Sequence, residues 1–269
     1  MVSPQPSAAL GKLFPAGVVA TELRQPSLLR AQALLSEQSL LTSEEWACIM
    51  HCHGRRIQDF AGGRLCAHYA LGAFGMADVS ILPGSDREPL WPAGFTGSIT
   101  HTEGYSAAVV GRIEQVGSLG IDTEQIEEVQ PMLWRDICAP GEFHQLLQCA
   151  PRRRRWLAAL TFVAKEAFYK CQFPVTRERL DFDAVAVHLQ GLFEPSAHWE
   201  SGMYCVDPPA PELGGFWIEP TRPLRLQTLY PASLGEPGTP GGAEPRWLGH
   251  FRLHDGFISA GIALPISSR

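Results

Sequence analysis

The residues with the clearest chemical potential lie in two short stretches. The first, GSLGIDTE (117–124), contains Asp122 and Glu124; the second, FVAKEAFYK (162–170), contains Lys165, Glu166 and Lys170. GSLGIDTE reads as a strand, on which alternate residues share a face. Leu119, Ile121 and Thr123 fall on one side, and Gly120, Asp122 and Glu124 on the other. Two carboxylates on one face repel each other unless water solvates them or a cation lies between them. FVAKEAFYK reads as a helix, with Glu166 and Lys170 at i and i+4 on one flank of its apolar face and Lys165 pointing elsewhere. Together Asp122, Glu124 and Glu166 form an all-oxygen donor set of the kind Mg²⁺ takes alongside phosphate and water. On spacing alone, a solvated strand end and an ordinary i,i+4 helix pair account for these residues at least as readily.

A second constellation lies upstream. Arg56, Arg64, Arg87 and His101, with the hydroxyls of Ser98 and Thr100, could bind a phosphate-rich ligand through guanidinium contacts and a strand end. Of the 22 basic residues only Lys12, Lys165 and Lys170 are lysine, so the 162–170 stretch holds most of the compact, titratable ammonium groups. The run Arg152–Arg155 opens a helix against its dipole, which suits a solvated end or a nearby acidic partner. Cys48, His51, Cys52 and His53 cluster, but their spacing matches no standard zinc site. No P-loop, GxSxG or HExxH occurs, and no GxGxxG follows a strand.

The surrounding chain must position these groups. Its 269 residues, 45% hydrophobic and 19% charged, suffice for one large or two modest globular domains. A net charge of −6 argues against bulk nucleic-acid binding. No apolar run is long enough to span a membrane, and MVSPQPSAALGKLF does not resemble a signal peptide. An odd count of 7 scattered cysteines favours free thiols in a reducing cytoplasm.

Residues 1–30 read as a strand or two with irregular lead-in. Thr42 or Ser43 caps a helix, and a second helix covers Arg55–Phe74, with Arg56 and Arg64 off its apolar stripe. Gly62-Gly63 weakens that helix or admits a close neighbour. Two short strands flank a turn at Glu103-Gly104. Two short helices then precede a longer one from the arginine run, which Phe173-Pro174 ends. DFDAVAVHL, GMYCVD, FWIEP and HFRLHDGFISAGIALP alternate like antiparallel strands, and residues 231–246 form a Pro/Gly-rich insertion. HTEGYSAAVVG (101–111) is echoed by HDGFISAGIAL (254–264), which suggests two related α+β halves with a boundary near 111–117.

GSLGIDTE followed by FVAKEAFYK resembles the paired signatures GIDxE and (W/F)xxKEAxxK of the 4′-phosphopantetheinyl transferases. PLWPAGFTGSITHTEGY resembles that family's Ser/Thr-His motif, and RRIQDFAGGRLCAHYAL resembles the Arg-rich helix of its larger Sfp/EntD-like, monomeric members. The resemblance implies an α+β fold of two similar halves in a pseudo-twofold arrangement, here residues 1–114 and 115–269, with coenzyme A in the cleft between them. It implies transfer of the 4′-phosphopantetheine of coenzyme A to a serine of an apo acyl or peptidyl carrier protein, releasing adenosine 3′,5′-bisphosphate. By position, Asp122, Glu124 and Glu166 become Mg²⁺ ligands, and Arg64, Arg87, Thr100, His101 and, more weakly, Arg56 become coenzyme A contacts. Lys170 matches the family's lysine that faces the pyrophosphate. Glu166 is the expected base, ionised beside the metal, with a water held by Asp122 or Glu124 as the alternative. The acidic carrier would meet a basic, partly apolar patch, supplied by Arg152–Arg155 or by 125–140. Phe162 replaces the commoner Trp, and Thr100 stands where Ser is frequent. A monomeric cytoplasmic enzyme, with no nucleic-acid or membrane partner, is expected. A Mg²⁺-dependent phosphodiesterase acting on nucleotides like coenzyme A and a non-catalytic binding module are the competing readings; the intact acidic triad opposes the second.

Overall fold

The computed structural model describes residues 3–24, 41–189, 211–224, 226, 229 and 246–266. The chain opens with a short strand β1 (Gln5–Pro6), a helical turn α1 (Ala8–Gly11) and β2 (Val19–Arg24). Helix α2 (Ser43–Ile49) begins at the expected cap: Thr42 Oγ1 accepts the Glu45 N–H, and the Glu45 carboxylate accepts the Thr42 N–H. Helix α3 (Arg55–Gly72) and the hairpin β3 (Phe95–Thr102) and β4 (Tyr105–Arg112) complete the first half. The second half comprises β5 (Ser118–Gln125), the short helices α4 (Trp134–Ile137) and α5 (Pro140–Gln148), the long α6 (Pro151–Thr176), and β6 (Val185–Leu189), β7 (Leu213–Pro220), β8 (Trp247–His254) and β9 (Phe257–Leu264).

Two antiparallel sheets result, ordered β1-β2-β4-β3 and β5-β9-β8-β7-β6. In each half a strand leads to a long helix and then to a hairpin, and the order β2-β4-β3 has the same topology as β5-β9-β8. The fold is α+β with two similar halves. The sequence echo between the hairpins is out of step by one residue. Both use two-residue turns, so Thr102 opposite Tyr105 corresponds to His254 opposite Phe257. His254 therefore matches Thr102 and not His101. The matched pair Tyr105 and Phe257 meet between the halves, ring centroids 5.2 Å apart.

Each half has its own core. Helix α3 buries Cys66, Ala67, Ala70 and Leu71 against Leu23, Ala108 and Val110. Helix α6 buries Trp156, Leu160, Val163, Ala164, Ala167 and Phe168, the face its 3.6-residue spacing marks out. A third cluster joins Leu10, Leu13, Phe14 and Tyr105 from one half to Leu119 and Ile121 from the other.

Two expectations need correction. Pro174 does not end α6, which runs on to Thr176 and stops at Arg177 in a left-handed cap with φ 58°. Proline in the last turn forfeits one hydrogen bond to the Lys170 carbonyl, and the Arg177 N–H to Phe173 carbonyl bond (2.9 Å) closes the end. Arg64 is not off the buried face either, being 7% exposed within a run of α3 buried from Ala61 to Ala67. The GMYCVD strand (202–207) and nearly all of the 231–246 insertion lie outside the described residues.

Candidate active site

The site forms where β5, the edge of the second sheet, meets both α6 and β3, the edge of the first. Gly120, on the same strand face as Asp122, touches α6 so closely that a Cβ there would stand 1.9 Å from the Ala167 carbonyl oxygen. That approach brings the Glu166–Lys170 flank of α6 over the carboxylate face of β5. On the other side, side chains of β3 bridge to the backbone of β5. Ser98 Oγ accepts the Ile121 N–H at 3.1 Å, and Thr100 Oγ1 accepts the Thr123 N–H at 2.9 Å.

Asp122 is 4% exposed. Its Oδ1 accepts from Lys170 Nζ at 2.6 Å and from the Thr100 hydroxyl at 3.0 Å, while Oδ2 is buried with no partner. A buried carboxylate oxygen left bare is costly in a finished structure. Lys170 thus reaches across to β5, and within 4 Å it makes no ion pair with Glu166, its i−4 neighbour. Burial and then Asp122 push the Glu124 carboxyl up to about 7, against the opposing pull of the Thr102 hydroxyl, Lys170 and Arg55. Burial and Asp122 likewise raise Glu166, with Lys170 opposing. The Glu166 carboxyl is therefore raised above its ordinary value in the protein alone, a direction that a bound cation would oppose.

Crowded carboxylates with raised pKa values and an orphaned oxygen fit a divalent cation, and the all-oxygen donor set suits a hard one. The protein's share is incomplete: among the described residues no three His, Cys, Asp or Glu side chains form a ready-made metal cage.

The other site candidates are placed as follows. Thr100 is 1% exposed and its hydroxyl is fully used between Asp122 and the Thr123 N–H, so it positions Asp122 from behind. The buried guanidinium of Arg64 lies over the Phe60 ring at 4.3 Å and donates from Nε to the Ile81 carbonyl at 2.6 Å. Arg56, in the first turn of α3, and Arg87, in the loop before β3, are exposed. The His101 ring is half-exposed, with Nδ1 3.8 Å from the Asp59 carboxylate. Its surroundings lower its pKa by burial, Lys170 adding to this while Asp59 and Asp122 oppose it. In the arginine run, Arg154 caps α5 by donating to the Cys149 and Leu147 carbonyls, both at 2.8 Å. Arg152 and Arg155 are exposed.

Sequence reasoning missed the partner of Lys165. That lysine is 3% exposed and donates to the Ile137 carbonyl (3.0 Å), the Phe182 carbonyl (2.6 Å) and the Glu142 carboxylate (2.6 Å). Glu142 also accepts the N–H groups of Ala139 and Val187, each at 2.6 Å. A Glu in the first turn after Pro140 was the available signal. Beside this ion pair a cavity of about 180 Å³ opens, lined by Glu166, Tyr169, Arg179 and Phe182 among others.

Residues 44–111 match the 4′-phosphopantetheinyl transferase N-terminal domain, and residues 118–209 match the 4′-phosphopantetheinyl transferase superfamily. The chain is 35% identical over 179 residues to 4′-phosphopantetheinyl transferase Svp of Streptomyces mobaraensis, covering 66% of this chain and 70% of that protein. It is 29% identical over 262 residues to 4′-phosphopantetheinyl transferase Npt of Nocardia iowensis, covering 93% and 97% of the two chains. To enterobactin synthase component D of Escherichia coli (strain K12) it is 32% identical over 173 residues, 63% of this chain and 80% of that one. With both halves matched in order and the acidic strand and helix of the second brought together, the chain belongs to the 4′-phosphopantetheinyl transferases of the Sfp/EntD type.

Proposed function

We propose that the chain moves the 4′-phosphopantetheine arm of coenzyme A onto a serine hydroxyl of an apo acyl or peptidyl carrier protein, using Asp122, Glu124, Glu166 and Lys170. The observation that supports this most strongly is the buried, unpartnered Oδ2 of Asp122 beside two further carboxylates and a lysine. Asp122, Glu124 and Glu166 would hold Mg²⁺, which when bound offsets their mutual repulsion and draws charge from the pyrophosphate. Glu166 accepts the serine proton as the hydroxyl oxygen bonds to the pantetheine-side phosphorus. The P–O bond to the nucleotide phosphate breaks, and adenosine 3′,5′-bisphosphate leaves with the electron pair. In the protein alone, burial and Asp122 raise the affinity of Glu166 for a proton; a bound cation would offset the part due to Asp122, and burial still favours proton uptake over that of a solvated carboxylate. Lys170, anchored on Asp122, supplies positive charge for the oxygens on which charge builds.

Arg56, Arg87 and His101 serve the nucleotide and its phosphates directly. Thr100 and Arg64 act through what they hold, Asp122 and the Ile81 segment. Exposed Arg152 and Arg155 suit an acidic carrier surface. The six described cysteines are all free thiols, which suits a cytoplasmic setting, and we take the working unit to be a monomer. The test is to incubate the protein with coenzyme A, Mg²⁺ and a panel of apo carriers and weigh each carrier. A gain of one phosphopantetheine is expected, and Glu166→Gln should slow it by about 100-fold or more. No gain on any carrier would sink the reading, and cleavage of coenzyme A without a carrier would favour a phosphodiesterase.

A further inference from the structure

We propose that the turn 84–88 and the stub 177–179 form a charged clasp between the two halves, in which Glu88 and Arg177 are positioning residues that hold Arg87 for coenzyme A. This rests on the transferase reading above.

The turn lies between α3 and β3 of the first half, and both of its acids reach the second. Arg177 Nη1 donates to the Glu88 carboxylate, and Arg179 Nη2 donates to Asp86. Glu88 also organises the turn itself. Its Oε2 accepts the Asp86 N–H at 3.0 Å, and its carbonyl accepts the Gly84 N–H at 2.7 Å. The carboxylate folds back so far that a Cβ on Gly84 would lie 2.5 Å from it, so a side chain there would push the Glu88 carboxylate aside. The Glu88 side chain is 10% exposed, against 28% for Asp86, which makes it the inner pair of the clasp.

Between these two acids Arg87 has φ 68°, in the left-handed region that disfavours side chains with a Cβ. Glycine or asparagine would relieve that conformation, and strain of this kind persists where the surroundings enforce it and function uses it. Arg87 is exposed, and among the described residues its guanidinium has no hydrogen bond or ion pair. It is thus a strained cation with no partner among the described residues, and both of its neighbours are tied across the halves. On the far side of the clasp, Arg179 lines the cavity that also holds Glu166. The clasp therefore runs from Arg87 to the edge of the reacting groups. Both arginines are more than half exposed, so the pairs contribute little to folding stability and the consequence belongs to ligand binding.

The experiment measures coenzyme A binding by calorimetry, and initial rates against coenzyme A at saturating apo carrier, with melting curves alongside. Glu88→Gln and Arg177→Glu should each raise Kd and KM for coenzyme A about tenfold while kcat stays within about twofold. The swap E88R/R177E should recover most of the loss. On an Arg87→Ala background Glu88→Gln should cost nothing further, because both act through one guanidinium. The clasp is overturned if Arg87→Ala weakens binding while Glu88→Gln and Arg177→Glu do not. It is also overturned if Glu88→Gln costs the same with and without Arg87. Should Glu88→Gln unfold the protein, Asp86→Asn and Arg179→Gln put the same question to the outer pair. A wild-type protein that neither binds coenzyme A nor loads a carrier overturns the transferase reading and this inference with it.

Discussion

Asp122 and Glu124 stand two residues apart on one strand face but bear different burdens. Asp122 has Lys170 and Thr100 on one oxygen, whereas Glu124 is pushed up to about 7 by burial and by Asp122 itself. In metal-free protein this gives a pH dependence of definite sign. Between the ordinary value of 4.5 and about 7, the native state holds a proton on Glu124 that the unfolded chain has released. Native stability therefore falls as pH rises through that window, and the loss is complete above it. Glu124→Gln removes the titration. Urea melts in chelator should find this variant more stable than wild type at pH 8, the gap closing towards pH 4.5; a gap independent of pH would refute the assignment. Adding Mg²⁺ at pH 8 should raise the wild-type midpoint more than that of Glu124→Gln. The shared face of the carboxylates was legible from alternation in the sequence. That Lys170 would bond Asp122 and leave Glu166 was not, because i,i+4 spacing favours the local pair and only the approach of β5 to α6 supplies the better one.

At the scale of elements, α6 carries two lysines with unlike tasks. Five residues apart, they lie on different flanks of the helix, and that much follows from its period. Where the side chains end depends on tertiary neighbours. Lys165 is enclosed by the Ile137 and Phe182 carbonyls and Glu142, whereas Lys170 is part-exposed over β5. Lys165→Met leaves Glu142 without its cation and two carbonyls without their donor. Denaturant titration should register a loss of about 3–5 kcal/mol. Lys170→Met strips Asp122 of its cation at a part-exposed site, so it should cost less stability than Lys165→Met yet abolish transfer, and comparable destabilisation by both would refute the division of labour. The contact between β5 and α6 is equally specific. Gly120→Ala places a methyl 1.9 Å from the Ala167 carbonyl oxygen, so helix and strand must separate. Overpacking of this kind costs about 1–3 kcal/mol or more. Transfer should fall further than stability predicts, because Glu166 and Lys170 move off Asp122. The glycine was visible in GSLGIDTE, but its reason was not, since sequence alone does not say which backbone comes close.

In the whole molecule, the two halves are joined by the site as well as by a core. The hairpin echo made two related halves legible, although the one-residue offset shows that similar letters did not mark equivalent positions. The seam itself was hidden, because Ser98 and Thr100 read as phosphate-binding hydroxyls while the fold uses them to satisfy the backbone of β5. One consequence is that the halves should not unfold separately. Leu10, Phe14 and Tyr105 share a core with Leu119 and Ile121, and Arg24 bonds Asp255 at 2.6 Å across the other side of the junction. Tryptophan fluorescence, with Trp46 and Trp91 in one half and the other five tryptophans in the other, should follow the same midpoint as far-UV circular dichroism. Thr100→Val tests the seam directly. It strips the acceptor from the buried Thr123 N–H and a donor from Asp122, at a cost of about 1–3 kcal/mol. Because the loss falls on a joint and not on one half, both probes should shift together, and Thr100→Ser should restore the midpoint and the rate. A midpoint that splits between probes would mean that the halves fold independently and that the side-chain bridge between β3 and β5 does not couple them.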